Sequence, residues 1–241
     1  TRERERLTIT THFPAINKSM LQTPPSPPQT PPLCTQITYG DGKPDIHAAI
    51  ILTCARPEHL VERFGTVASD FARMLNPHFS ILSMRVYDGC NGVLPTVEEL
   101  CDVDLLLIPG SFHMVTDQHE WMVRLEGLIK GRRCWIFGVC FGMQLACKAY
   151  GGEVSWNPNG VEVGVAQVDC DYPVLAPMDK KRLTVLQSHD MHITKLPPNF
   201  QVIAWNEHTP VQAYVSLEHR VMGVQFHPDF GVDYFHYTKE C

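Results

Sequence analysis

The 241-residue sequence predicts a single α/β domain on a doubly wound sheet that is extended by antiparallel strands. Three observations lead there. Short, nearly continuous apolar runs such as Ala48–Cys54 and Leu105–Pro109 are strand-sized, as expected of strands buried on both faces. Segments with apolar residues at helical spacing separate them. After Gly151-Gly152 the texture changes to short strand-like runs divided by turn residues. Strand–helix alternation followed by a run of strands describes a parallel sheet with an antiparallel extension.

The N-terminal segment, residues 1–45, differs from the rest. Thr23–Pro32 has six prolines in ten residues, so its backbone cannot build a ladder and favours extended polyproline II. The reading is a disordered linker or tail, ahead of a folded domain over 46–241. His47–Cys54 (HAAIILTC) begins that domain as a buried strand. Glu58–Leu75 carries Leu60, Val61, Phe64, Val67, Phe71 and Leu75 at the spacing of one helix. Phe79–Val86 and Asp104–Pro109 read as the next strands. Asp117–Lys130 reads as a helix, with Lys130-Gly131 as its end. Cys134–Val139 is a fourth buried strand, and Phe141–Tyr150 a helix closed by Gly151-Gly152. The later strands are Glu162–Val168, Leu183–Leu186, Gln201–Trp205, Val211–Val215 and Val221–Phe226.

With 44% hydrophobic residues the chain can fill one sizeable core. Its 26 acidic and 20 basic side chains give a formal charge of -6, without the basic excess of a nucleic-acid binder. No apolar stretch approaches the ~20 residues that span a bilayer, so neither nucleic acid nor membrane is an expected partner. Thr1–Leu7 alternates Arg and Glu, unlike the apolar core of a secretory signal. The nine cysteines are odd in number and lack CxxC spacing, which points to reduced thiols in the cytoplasm.

The segment with the most chemical content is Cys134–Gln144, CWIFGVCFGMQ. A buried strand runs into Gly138-Val139-Cys140-Phe141-Gly142 and then a helix. Glycines two positions either side of Cys140 let strand and helix pack closely across a sharp turn, which is a nucleophile elbow. Such a turn exposes the sulfur at the carboxyl edge of the sheet, where open α/β folds bind ligands. It also sets the sulfur at a helix N-terminus, which favours thiolate. Most cysteines are small buried hydrophobes, the reading adopted for Cys134 and Cys147. The backbone N–H of Phe141 is a natural oxyanion donor. A thiolate needs a base, and the base an orienting group. Val221–Phe230 (VMGVQFHPDF) delivers His227 at a strand end stopped by Pro228, with the Asp229 carboxylate two residues on.

Together, G-x-C-x-G-x-Q at Gly138–Gln144 and G-x-Q-F-H-P-[acid] at Gly223–Asp229 resemble the two signatures of class I glutamine amidotransferases. They lie in the same order and about 85 residues apart, within the reach of one ordinary domain. Ile108-Pro109-Gly110-Ser111 resembles the family's oxyanion loop. Asn157–Gly164 (NPNGVEVG) and Ser188–Pro198 (SHDMHITKLPP) resemble its mid-domain segments. The resemblance implies a flavodoxin-like α/β domain with a mixed central sheet. It implies hydrolysis of the glutamine amide through a γ-glutamyl thioester, giving glutamate and ammonia without any cofactor or metal. By motif position Cys140 attacks, His227 serves as base and then acid, and Asp229 orients it. The N–H groups of Gly110 and Phe141 cradle the oxyanion, and Gln144, Ser188 and His189 border the substrate. The ammonia would be used directly or by a separate synthase.

Three departures from the family pattern are visible. Relatives usually have Glu at the position of Asp229, whose carboxylate sits back by roughly 1.5 Å, one C–C bond, so altered activity is expected rather than none. An acidic residue common in relatives corresponds to Met191, one position beyond Asp190. Only about a dozen residues follow His227-Pro228-Asp229, where relatives often continue into a longer helix. Two alternatives stand beside glutamine hydrolysis. One is a γ-glutamyl peptide hydrolase with the same Cys–His machinery. The other is a non-catalytic binding or regulatory relative.

Overall fold

The computed structural model describes residues 9–11, 44–171 and 181–240. The proline-rich run lies outside the described residues. The strands and helices, in chain order, are β1 (Ile9–Thr11), β2 (Asp45–Ile51), α1 (Glu58–Phe64), α2 (Val67–Leu75), β3 (Ser80–Tyr87), β4 (Leu105–Ile108), α3 (Glu120–Gly131), β5 (Trp135–Val139) and α4 (Phe141–Ala149). There follow β6 (Glu153–Trp156), β7 (Glu162–Cys170), β8 (Arg182–His189), β9 (Met191–Lys195), β10 (Gln201–Trp205), β11 (Ala213–Ser216), β12 (Val221–Val224) and α5 (Val232–Glu240). None of the helices is long and apolar enough to cross a membrane, among the described residues.

One sheet of ten strands runs in the order β1-β3-β2-β4-β5-β12-β11-β10-β7-β8. Pairing is parallel from β1 to β12 and antiparallel from β12 to β8. The mixed α/β, flavodoxin-like architecture expected from the sequence is therefore present. Its central strands alternate between two apolar layers, as the two-residue repeat of a strand requires. Ala49, Ile51, Leu106, Ile108 and Ile136 face one layer with Trp121 and Leu125 of α3 and Met143 of α4. Ala48, Ile50, Leu107 and Val139 face the other with Phe71, Ala72 and Leu75 of α2. Burying one such Ile or Leu is worth about 1.5–3 kcal/mol, which is why these strands read as unbroken apolar runs.

Several elements differ from their expected form. Glu58–Leu75 is two helices rather than one. Gly65 takes φ 85°, and the Thr66 side chain then caps α2 by accepting from the Ser69 N–H at 3.1 Å. A capping residue after a left-handed glycine ends a helix even where the apolar spacing continues. The predicted strand Val221–Phe226 leaves the ladder after Val224. A second, two-stranded sheet of β6 and β9 pairs Trp156 with Met191. It was not expected, because its strands alternate polar and apolar residues over only four and five positions, too short a run to stand out in the sequence.

Candidate active site

The turn after β5 has the geometry that its sequence implies. Cys140 adopts φ 50° and ψ −104° as the N-cap of α4. Few residues other than glycine adopt a positive φ, and here the surrounding backbone enforces it. A β-carbon on Gly142 would lie 2.0 Å from the Ile108 carbonyl oxygen, and one on Gly138 2.6 Å from the backbone of Gly142. Only glycines permit strand and helix to close this tightly. The Cys140 N–H donates to Val224 O at 2.8 Å, and the Gly142 N–H to Pro109 O at 3.1 Å. The nucleophile candidate is thereby pinned to the strands on both sides. The first-turn N–H groups of α4 have no partner within the helix.

His227 arrives through strand pairing. β12 runs parallel beside β5 with Val224 opposite Val139, so residues following either strand emerge at one edge. The His227 N–H donates to Leu186 O at 2.9 Å, and its Nδ1 lies 3.2 Å from Asp229 Oδ1. Both side chains are buried. Burial by itself would lower the imidazole's affinity for a proton. The adjacent Asp229 carboxylate, followed by Cys140, outweighs it and raises the His227 pKa to about 10. The Phe230 ring stacks on His227 at 3.9 Å and 12° between planes, an arrangement that suits an imidazolium over a π face.

Gly110 closes the group. A β-carbon there would fall 2.8 Å from His227 Cε1 and 3.7 Å from the Cys140 Cβ. Its carbonyl accepts from Thr53 Oγ1 at 2.6 Å, and Ser111 Oγ donates to Thr53 O at 2.8 Å. Thr53 thus fixes the orientation of this loop from the end of β2. A cleft of about 220 Å³ opens over these residues, with Cys140, Phe141, Gln144, Ser188 and His189 in its wall. Ser188 O accepts from Cys140 Sγ at 3.9 Å. Gln144 is buried, and its Nε2 donates to Met191 O at 3.1 Å and Gln225 Oε1 at 3.0 Å. His227 and Asp229 are buried and are not part of the cleft wall.

His189 lies in the wall, yet both ring nitrogens are engaged. Nδ1 faces Met191 O at 3.0 Å and Nε2 faces Glu162 Oε2 at 3.0 Å. Both ring nitrogens are thus taken up by protein neighbours. Any substrate contact from His189 would therefore use the ring's face. Glu162 also accepts from Asn206 Nδ2 at 2.6 Å, Thr209 Oγ1 at 2.9 Å and Gln212 Nε2 at 2.9 Å. Burial would raise its pKa, but these bonds and the His189 charge prevail and lower it to about 2.

Three groups of consequence carried no role in the sequence reading: Thr53, Phe230 and Glu162. Thr53 follows a strand at the sheet's carboxyl edge, a position where the ligand-binding rule for open sheets could have found it. Phe230 and Glu162 stood inside motifs already noticed, but nothing in linear spacing places them against a histidine. Cys134 and Cys147 behave as expected of core residues: burial pushes Cys134 up to about 11 and Cys147 up to about 12.

The family described as glutamine amidotransferase class-I matches residues 89–235. A GMP synthase [glutamine-hydrolyzing] of Oceanobacillus iheyensis is 33% identical over 152 residues, 62% of this chain, and the match spans only 29% of that enzyme. A subunit of the glutamine-hydrolyzing GMP synthase of Sulfolobus acidocaldarius is 29% identical over 61% of this chain and 81% of its own length. Gamma-glutamyl peptidase 2 of Arabidopsis thaliana is 27% identical over 61% of this chain and 60% of its own. Among solved structures, a glutamine amidotransferase from Thermotoga maritima shares the fold with a TM-score of 0.61 at 21% identity. That alignment covers 81% of this chain and 83% of that one.

Proposed function

The chain belongs to the class I glutamine amidotransferase family, and on that premise we propose that it hydrolyses the glutamine side-chain amide through a thioester on Cys140. The observation that carries this reading is the convergence of Cys140, Gly110 and the His227–Asp229 pair at one sheet edge, beneath an open cleft. With the thiol proton already held on His227, Sγ attacks the amide carbon. The carbonyl oxygen takes the negative charge and is held by the N–H groups of Phe141 and Gly110. Collapse expels ammonia with the proton from His227, leaving the γ-glutamyl thioester. Neutral His227 then takes a proton from water, whose oxygen attacks the thioester. Glutamate departs as the proton returns to Cys140. An imidazolium at neutral pH, as its raised pKa implies, is suited to the first proton donation. Gln144 shapes the glutamate end of the cleft by bracing the Met191 carbonyl. The Sulfolobus relative is named as one subunit of a synthase, which supports release of ammonia to a separate synthase chain.

A second reading has its own support. Phe112, Val161 and Val163 are exposed apolar residues in the cleft wall. They would suit an apolar leaving group on a γ-glutamyl peptide better than ammonia. The deciding experiment supplies glutamine and γ-glutamyl peptides to the chain and measures glutamate, ammonia and amine, with Cys140→Ala as control. Glutamate and ammonia from glutamine support the first reading. Turnover of peptides alone moves the assignment to the second. No turnover of either, with Cys140 unlabelled by a glutamine-like electrophile, leaves a non-catalytic relative.

A further inference from the structure

Beyond the Cys–His machinery, the loop between β4 and α3 gathers a second set of reactive side chains. We propose that His113, Asp117 and His119 form a binding site for a borderline divalent cation, Zn²⁺ above all, at the rim of the Cys140 cleft. Each residue offers one ligand atom, and these atoms lie within 4.8 Å of one another. Tetrahedral Zn²⁺, with bonds near 2.1 Å, holds its ligand atoms about 3.4 Å apart. Exposed side chains can close that difference by rotation. Two imidazoles with one carboxylate suit Zn²⁺ and its neighbours Co²⁺ and Ni²⁺, and suit Mg²⁺ or Ca²⁺ poorly.

The loop holds this arrangement by contacts of its own. Asp117 Oδ2 accepts the Met114 N–H at 2.9 Å, and the His113 N–H donates to Ser111 Oγ at 3.1 Å. Gln118 adopts φ 54°, a conformation that few such residues take. It folds the chain so that Asp117 and His119 come together, with His119 Nε2 3.9 Å from Asp117 Oδ2. The His113 ring meets that of His119 edge-on at 5.0 Å and that of Trp121 at 5.7 Å. Because these protein contacts shape the loop, binding would be reversible rather than a condition of folding. Three protein ligands leave a fourth position open. His113 is also part of the cleft wall, so the ion would stand beside the nucleophile's entrance.

The test is titration of the full chain with Co²⁺ followed by absorption, and with Zn²⁺ followed by calorimetry. One equivalent should bind, with cobalt d–d bands and no thiolate-to-cobalt charge transfer. His119→Ala and Asp117→Asn should each weaken binding at least about tenfold, since even partners behind a metal ligand are worth that much. Cys140→Ala should bind as the parent chain does. Circular dichroism checks that each variant is folded. Unchanged affinity in both loop variants, a thiolate band, loss of binding in Cys140→Ala, or no binding at all would overturn the proposal. None of these readouts uses turnover, so they stand apart from the assignment of the hydrolase.

Discussion

Asp229 places its carboxylate 3.2 Å from His227 Nδ1 although it is one methylene shorter than the glutamate expected at this position. The contact is longer than the usual ~2.7–2.9 Å of a hydrogen bond between charged groups, yet at the limit of the range a catalytic pair tolerates. Asp229→Asn should lower kcat/KM by about 10²–10⁴, the contribution of a well-placed proton donor and acceptor. A change under threefold would mean that Asp229 does not orient the imidazole. The charge state of His227 can be read by itself. Its ring signals in NMR should stay those of an imidazolium from pH 6 to near pH 9, because its pKa is raised to about 10; a transition at the ordinary value of about 6.5 would refute this. The raised pKa also stabilises the fold. That contribution is complete below about pH 6.5 and disappears as pH rises through about 10.

Elements meet most tightly where β4, β5 and α4 cross, and two glycines report on opposite sides of that packing. Gly142→Ala would press a methyl group against the Ile108 carbonyl at 2.0 Å. It should cost at least about 1–3 kcal/mol, the range for overpacking. Gly127 lies exposed within α3, with nothing within 4 Å of an added β-carbon. Gly127→Ala should stabilise the protein by roughly 0.5–1 kcal/mol by removing backbone freedom from the unfolded chain. Thermal melts of the two variants should therefore move in opposite directions. A melt of Gly142→Ala equal to that of the parent would show that the elbow is looser than its contacts indicate. The placement of glycines also explains why the helix expected over Glu58–Leu75 splits while α4 does not. Gly65 followed by Thr66 supplies a stop and a cap, whereas the glycines around Cys140 serve close approach.

For the whole molecule, the buried carboxylate of Glu162 ties together the strands of the antiparallel half. It binds His189 at the end of β8, Asn206 and Thr209 beyond β10, and Gln212 before β11. With its pKa lowered to about 2, this group contributes stability above the unfolded value of about 4.3. That stability fades as pH falls from there towards 2. Urea unfolding between pH 5 and pH 2.5 should therefore weaken more steeply in the parent chain than in Glu162→Gln, which should also be less stable at pH 7. Parallel slopes in the two proteins would remove the carboxylate from this role. Because His189 and its neighbours Asp190 and Met191 form cleft wall, the same network sets the shape of the site.

The linear sequence determined the local features. Strict apolar runs marked β2, β4 and β5, since strands buried on both faces admit little else. Two glycines flanking Cys140 marked the elbow, because only a residue without a β-carbon fits 2.0–2.6 Å from neighbouring backbone. The joining of Cys140 to His227 was legible through two motifs, and strand register carried it out, with Val224 opposite Val139. What the tertiary structure alone decided are contacts between residues far apart in the chain. Phe230 against the imidazole, Thr53 against the Gly110 loop and Glu162 within its ring of donors leave no periodic trace in sequence. Their partners are chosen by which strands lie side by side, and that follows from the packing of the whole sheet.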